Sequence, residues 1–125
     1  MKGKIIPNGV LLEKHEYTTV LFFTKLGFDV ELIPQSNIKG VHTPDIIIDG
    51  IKWEIKSPQG KSKASLEHAF RKARKQSENI TIDLRRSKIV EEVAIKEICR
   101  RFNQTVSCKR LRIITKNCML LEYQK

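Results

Sequence analysis

Between residues 10 and 26, Leu12, Thr19, Val20, Phe23 and Leu26 recur at helical spacing and form one stripe on a wheel. Asn8-Gly9 precede the segment and Gly27 stands where a helix C′ residue belongs, so a first helix is expected over 10–26. Residues 28–33 alternate and predict a strand, and 34–43 read as a polar loop. Two apolar runs, Pro44–Ile48 and Ile51–Lys56, flank Asp49-Gly50, the strongest short-range hairpin signal. A basic loop covers 57–63. A second helix follows over 64–77, with Leu66, Ala69, Phe70 and Ala73 inward, then a strand over 80–84 and a third helix over 88–103. Leu111–Thr115 and Cys118–Tyr123 predict a last hairpin turning at Lys116-Asn117. The order is αβββαβα plus two strands, an α/β (α+β) domain over residues 1–125 with a central sheet flanked by helices.

One residue breaks the first helical stripe. Glu16 falls about 40° from Leu12 and about 20° from Phe23, inside the apolar face, with Glu13 at its margin. A carboxylate there costs free energy unless a charged or hydrogen-bonding group meets it. The alternative is a helix rotated so that Glu16 reaches solvent.

The Asp49-Gly50 turn, taken as two residues, pairs Ile48 with Ile51, Ile47 with Lys52, Ile46 with Trp53 and Asp45 with Glu54. One face then collects Ile46, Ile48, Ile51, Trp53 and Ile55 and is the core face. The other carries Asp45, Ile47, Lys52, Glu54 and Lys56. Directly opposed carboxylates, with Cβ atoms about 5 Å apart, repel each other. A hard divalent cation relieves that repulsion, because it prefers several oxygen ligands. Lys56 adds a positive charge beside the pair. A cation on two carboxylates with an adjacent lysine suits phosphodiester hydrolysis. The alternative is that Lys52 and Lys56 pair with the acids on a solvated strand face.

Charge supports a polyanionic partner. Residues 1–56 hold 7 basic and 7 acidic side chains, and residues 57–125 hold 17 basic and 7 acidic, so the second half carries the whole net charge of +10. Lys61 and Lys63 follow the hairpin, Arg71, Lys72, Arg74 and Lys75 crowd the next helix, and Arg85 and Arg86 leave the following strand. These are candidate nucleic-acid contacts. Arg100, Arg101, Lys109, Arg110 and Arg112 form a C-terminal group suited to a separate contact surface. His15 and His42 lie near the hairpin in sequence, and His68 is expected to face solvent. Cys99, Cys108 and Cys118 are odd in number and fit no zinc spacing, as in reduced cytosolic proteins. The N-terminus lacks a signal peptide and no apolar run reaches membrane-span length, so cytoplasmic action without a membrane is expected.

Pro44-Asp45, an eight-residue gap and Glu54-Ile55-Lys56 resemble the PD-(D/E)xK signature of the restriction-endonuclease-like nucleases, whose core order is αβββαβ. The resemblance narrows through His15-Glu16, Gly27–Val30, Thr43–Asp45, Ile48–Gly50, Trp53–Pro58, Ala73–Gln76 and Asp83–Arg85. Over residues 11–115 the chain is similar to the C-terminal tRNA nuclease domain of CdiA-type contact-dependent inhibition toxins, which phage and mobile-element proteins share. That resemblance implies an Mg²⁺- or Mn²⁺-dependent ribonuclease cutting tRNA. It implies Glu16, Asp45 and Glu54 as metal ligands, Lys56 and Gln76 as further catalytic groups, and a neutralising immunity protein as partner. The toxins carry the domain at the end of a long secreted protein, whereas this sequence begins at Met1, which leaves delivery open. Two other readings keep the fold: a DNA endonuclease of restriction or resolvase type, and a non-catalytic nucleic-acid-binding module. Opposed carboxylates beside a bound polyanion argue against the module.

Overall fold

The computed structural model describes residues 1–125. Its elements run β1 (Ile5–Ile6), α1 (Lys14–Lys25), β2 (Val30–Leu32), β3 (Ile46–Ile48), β4 (Ile51–Lys56), α2 (Lys63–Gln76), β5 (Asn79–Asp83), α3 (Glu91–Gln104), β6 (Arg110–Ile114) and β7 (Leu120–Gln124). The strands form one seven-stranded mixed sheet in sequence order. β1–β2, β4–β5 and β5–β6 pair parallel, and the remaining neighbours antiparallel. The expected α/β (α+β) class is the one observed.

Helices cover both faces. On one side Val20, Phe22 and Phe23 of α1 pack on Ile46, Ile48, Trp53, Ile55 and Ile114. On the other, Leu66, Phe70 and Ala73 of α2 and Ala94, Ile98 and Phe102 of α3 pack on Ile80, Ile82, Leu111 and Ile113. β5 lies between the two layers and every residue of Asn79–Asp83 is buried, as a central parallel strand requires. No helix is long and apolar enough to cross a membrane.

The Asp49-Gly50 turn behaves as expected. Both residues have positive φ, 52° and 77°, the type I′ geometry whose twist matches the flanking strands. Ile46↔Trp53, Ile47↔Lys52 and Ile48↔Ile51 pair in the anticipated register.

Three expectations need correction. α1 starts at Lys14 rather than residue 10, because Glu13 is extended and its N–H donates to Glu16 Oε1 at 3.1 Å. Glu16 therefore sits in the first turn, where a carboxylate favours the helix dipole. α3 starts at Glu91 rather than 88, since Ser87 forms a turn with its N–H on the Leu84 carbonyl and its Oγ accepting from Ile89 N–H. The last hairpin turns over residues 115–119 rather than at two residues, organised by Thr115 Oγ1, which accepts from Met119 N–H at 3.0 Å and donates to Asn117 Oδ1 at 2.6 Å.

Several arginines expected at a nucleic-acid surface hold the fold together instead. Arg85 Nη2 lies 2.7 Å from Asp83 Oδ2, and Thr19 Oγ1 of α1 donates to the same oxygen at 2.7 Å. The Arg85 guanidinium also donates to the Thr18 carbonyl and lies 5.2 Å over the Phe22 ring. Arg112 is tucked under α1, 4.3 Å from the centroid of Trp53 and 5.3–5.5 Å from those of Phe28 and Phe23. Arg100 and Arg101 pair with Glu97, and Arg101 also with Glu67. Arg110 donates to Asn79 Oδ1. Four of the five residues of the anticipated C-terminal group, Arg100, Arg101, Arg110 and Arg112, thus have partners within the fold, and Lys109 is exposed.

Candidate active site

The ladder between β3 and β4 ends at Ile46↔Trp53, one pair short of the expected Asp45–Glu54 opposition. Asp45 N–H donates to the Trp53 carbonyl at 3.0 Å, and the Asp45 carbonyl accepts from Ile33 N–H at 2.9 Å. Pro44 has no N–H with which to continue the ladder. Asp45 turns its carboxylate along β4 instead, where Oδ2 accepts from Ile55 N–H at 2.8 Å. This avoids the full cost of opposed charges and keeps Asp45 beside Glu54.

Asp45, Glu54 and Lys56 line a cavity of about 380 Å³. His15 and Glu16 of α1 close one wall, and Ser65, His68, Ala69 and Lys72 of α2 the other. Ser57, Pro58 and Gln59 form the rim. Arg86 steadies that rim, because its Nε and Nη2 donate to the Ser57 carbonyl at 3.2 and 3.0 Å.

Glu54 is buried at the cavity floor with 4% of its surface exposed. Burial first, and the charge of Asp45 second, push its carboxyl up to about 8. Lys56 Nζ at 3.3 Å from Oε2 opposes this shift without cancelling it. Asp45 is raised as well, chiefly by burial, with the Ile55 N–H working against the rise and the charge of Glu16 adding to it. No amide or hydroxyl donor reaches the buried Glu54 Oε1, and the polar group within hydrogen-bonding reach of this carboxyl, besides Lys56, is the Asp45 carboxyl. A buried acceptor without a donor is costly, and a carboxylate oxygen in that state suits a cation. The donor set of Asp45, Glu54 and Glu16 is all oxygen, which fits Mg²⁺ or Mn²⁺ and not a soft metal. The three acids whose oxygens would hold it do not all gather within 4.8 Å of one another, whereas the ligand atoms of Glu13, His15 and Glu16 do. Glu13 is exposed and Glu16 already accepts its N–H, so helix capping accounts for that cluster.

Of the other anticipated residues, Lys72 joins the cavity. Arg71 and Arg74 line a neighbouring pocket of about 250 Å³ with Glu67 and Arg101. Lys61, Lys63 and Lys75 are exposed and do not line the cavity. Gln76 ends α2 one turn beyond Lys72, outside the cavity lining, with Oε1 buried and unpartnered. Arg85 is held in the Asp83 pair. His68, expected to face solvent, is exposed but lines the cavity. The signal was its helical spacing from Ser65 and Lys72, which puts all three on one face.

Two carboxylates at a strand end, a lysine two residues on and a helix acid opposite make a site able to take a cation and an anion together. The profile of the family described as "Contact-dependent growth inhibition CdiA C-terminal domain" matches residues 42–118. The chain belongs to that family. A chain in the structure of the CdiA-CT/CdiI toxin and immunity complex from Burkholderia pseudomallei superposes with a TM-score of 0.71, covering 98% of this chain and 100% of that one at 15% identity. That likeness is one of fold. No curated protein matches the sequence.

Proposed function

We propose that the chain is a PD-(D/E)xK nuclease, a divalent-metal-dependent ribonuclease that cleaves tRNA in the cytoplasm. The observation that carries the reading is the pair of largely buried carboxyls, Asp45 and Glu54, within hydrogen-bonding reach of each other beside Lys56 in a cavity open to solvent. A structural ion pair needs one acid beside Lys56, and this site holds two.

Asp45, Glu54 and Glu16 present oxygens to a divalent cation such as Mg²⁺ or Mn²⁺, which would supply a water of lowered pKa and charge neutralisation at the phosphate. Ile55 N–H fixes Asp45 through Oδ2 and leaves its other oxygen for the ion. Lys56 is half-buried on β4, so its ammonium is held beside the carboxylates, where it offers donors to a phosphate oxygen or to the attacking water. Lys72 supplies a second positive charge from the α2 wall. Arg71, Arg74 and Lys75 extend that charge along the exposed face of α2, suited to a polynucleotide backbone. Membership in the growth-inhibition family supports a toxic activity on a polymer every cell needs. The likeness to a chain from a toxin and immunity complex supports a protein inhibitor as partner.

The substrate is tested with purified protein, total tRNA, duplex DNA and single-stranded DNA at saturating Mg²⁺ or Mn²⁺. Cleavage of tRNA alone is expected. Cleavage of DNA would keep the site and move the chain to the restriction or resolvase branch. Retardation of nucleic acid without shortening would make it a binding module.

A further inference from the structure

We propose that His68 is a substrate-binding residue of this cleft, presenting an Nε2–H to a non-bridging oxygen of a phosphate held there. The inference rests on the nuclease reading above and deepens it. His68 Nδ1 lies 3.3 Å from Arg71 Nη2. A guanidinium only donates, so Nδ1 accepts and the ring proton sits on Nε2. His68 lines the cavity and Arg71 does not, so Nδ1 is occupied by a group outside the cleft and Nε2 is the ring nitrogen left to serve it. Arg71 is itself held by Glu67, 3.8 Å away, and Glu67 is tied to Arg101 of α3 at 3.2 Å. The tautomer is therefore set from outside the site.

The two walls then differ in kind. Glu16, Asp45 and Glu54 offer oxygens and suit a cation. Across the cavity, His68 Nε2–H and Lys72 offer donors, with Lys56 on the strand between. A phosphodiester is charged and accepts only, so it belongs on the donor wall. In this role the imidazole contributes a hydrogen bond and transfers no proton.

The test uses tRNA binding by the cleavage-deficient Glu54→Gln protein, at one fixed salt concentration, read by fluorescence anisotropy. Adding His68→Ala weakens binding about tenfold, the scale of one hydrogen bond to a charged group. His68→Gln, whose amide nitrogen reaches the Nε2 position, recovers most of that loss, whereas His68→Asn, which mimics Nδ1, does not. In the otherwise wild-type enzyme His68→Ala raises KM and holds kcat within about twofold. His68 is exposed, so thermal melts of all three variants should overlay the parent. Unchanged affinity in His68→Ala overturns the inference. So does rescue by Asn rather than Gln, or a fall in kcat with loss of one limb of its pH profile. Wild-type protein that cleaves no nucleic acid overturns the nuclease reading itself. Wild-type cleavage with an indifferent His68→Ala removes only this residue.

Discussion

Glu54→Gln lowers tRNA cleavage by about a thousandfold or more while leaving a folded protein that is more stable than wild type at alkaline pH. The loss follows from removing a charged oxygen ligand where transition-state charge must be balanced. The gain follows from burial. Glu54 titrates at 4.5 in an unperturbed chain and is pushed up to about 8 in the fold. A group with a raised folded pKa stabilises fully below its unfolded value, and that contribution is lost as pH rises through the folded one. Metal-free wild type should therefore lose stability between pH 4.5 and about 8. Glutamine stays neutral throughout, so the variant falls less steeply across that window, keeping only the part that the raised Asp45 carboxyl contributes. The difference at pH 9 is on the order of 3–5 kcal/mol if Glu54 acts alone. Thermal melts in EDTA across pH 5–9 measure it, beside single-turnover cleavage. Wild-type turnover in the variant would remove Glu54 from the mechanism, and a flat wild-type melting profile would mean that the carboxyl is not held in its neutral form.

Arg85→Ala costs about 3 kcal/mol of stability, by the measure of breaking one half of a buried ion pair. Asp83 is 2% exposed, and its two oxygens take hydrogen bonds from Arg85 and Thr19. Removing the guanidinium leaves a buried charge with only the Thr19 hydroxyl and the backbone N–H of residue 85 as donors, and loosens the strap between α1 and β5. Asp83→Asn in the same chain recovers part of the loss, because no uncompensated charge then remains. Chemical denaturation of the two singles and the double measures the coupling. If Arg85→Ala melts like wild type and instead weakens tRNA binding, Arg85 is a phosphate contact and the strap is unimportant.

The hairpin was legible because its determinants are local: a two-residue turn, alternation on both sides and a fixed register. Asp45, Glu54 and Lys56 were placed by that register together with the motif resemblance. Asp45's departure from the ladder was not legible, since it depends on the Ile55 amide and on β2, which lies across a polar loop. β1 was missed for a related reason. Two residues show no alternation, and Ile5–Ile6 become a strand only by pairing with Val30 and Glu31. The basic count pointed to a polyanion partner but could not separate Lys72, in the cavity, from Arg85 and Arg112, which are bound inside. Charge tells which side chains must be satisfied, and only the fold tells by what. Glu16 shows both sides of this. Its place on an apolar stripe flagged it, and the shorter helix makes it a capping residue at the cavity wall.

The most direct test of the site is the rate of tRNA cleavage as Mn²⁺ is titrated into protein stripped with EDTA, for wild type and Asp45→Asn. With a cation held by Asp45 and Glu54, wild type is inactive in EDTA and rises to a plateau, and Asp45→Asn needs more metal or reaches a lower plateau. Undiminished cleavage in EDTA, or identical metal curves for the two proteins, would contradict a metal site built on these carboxylates.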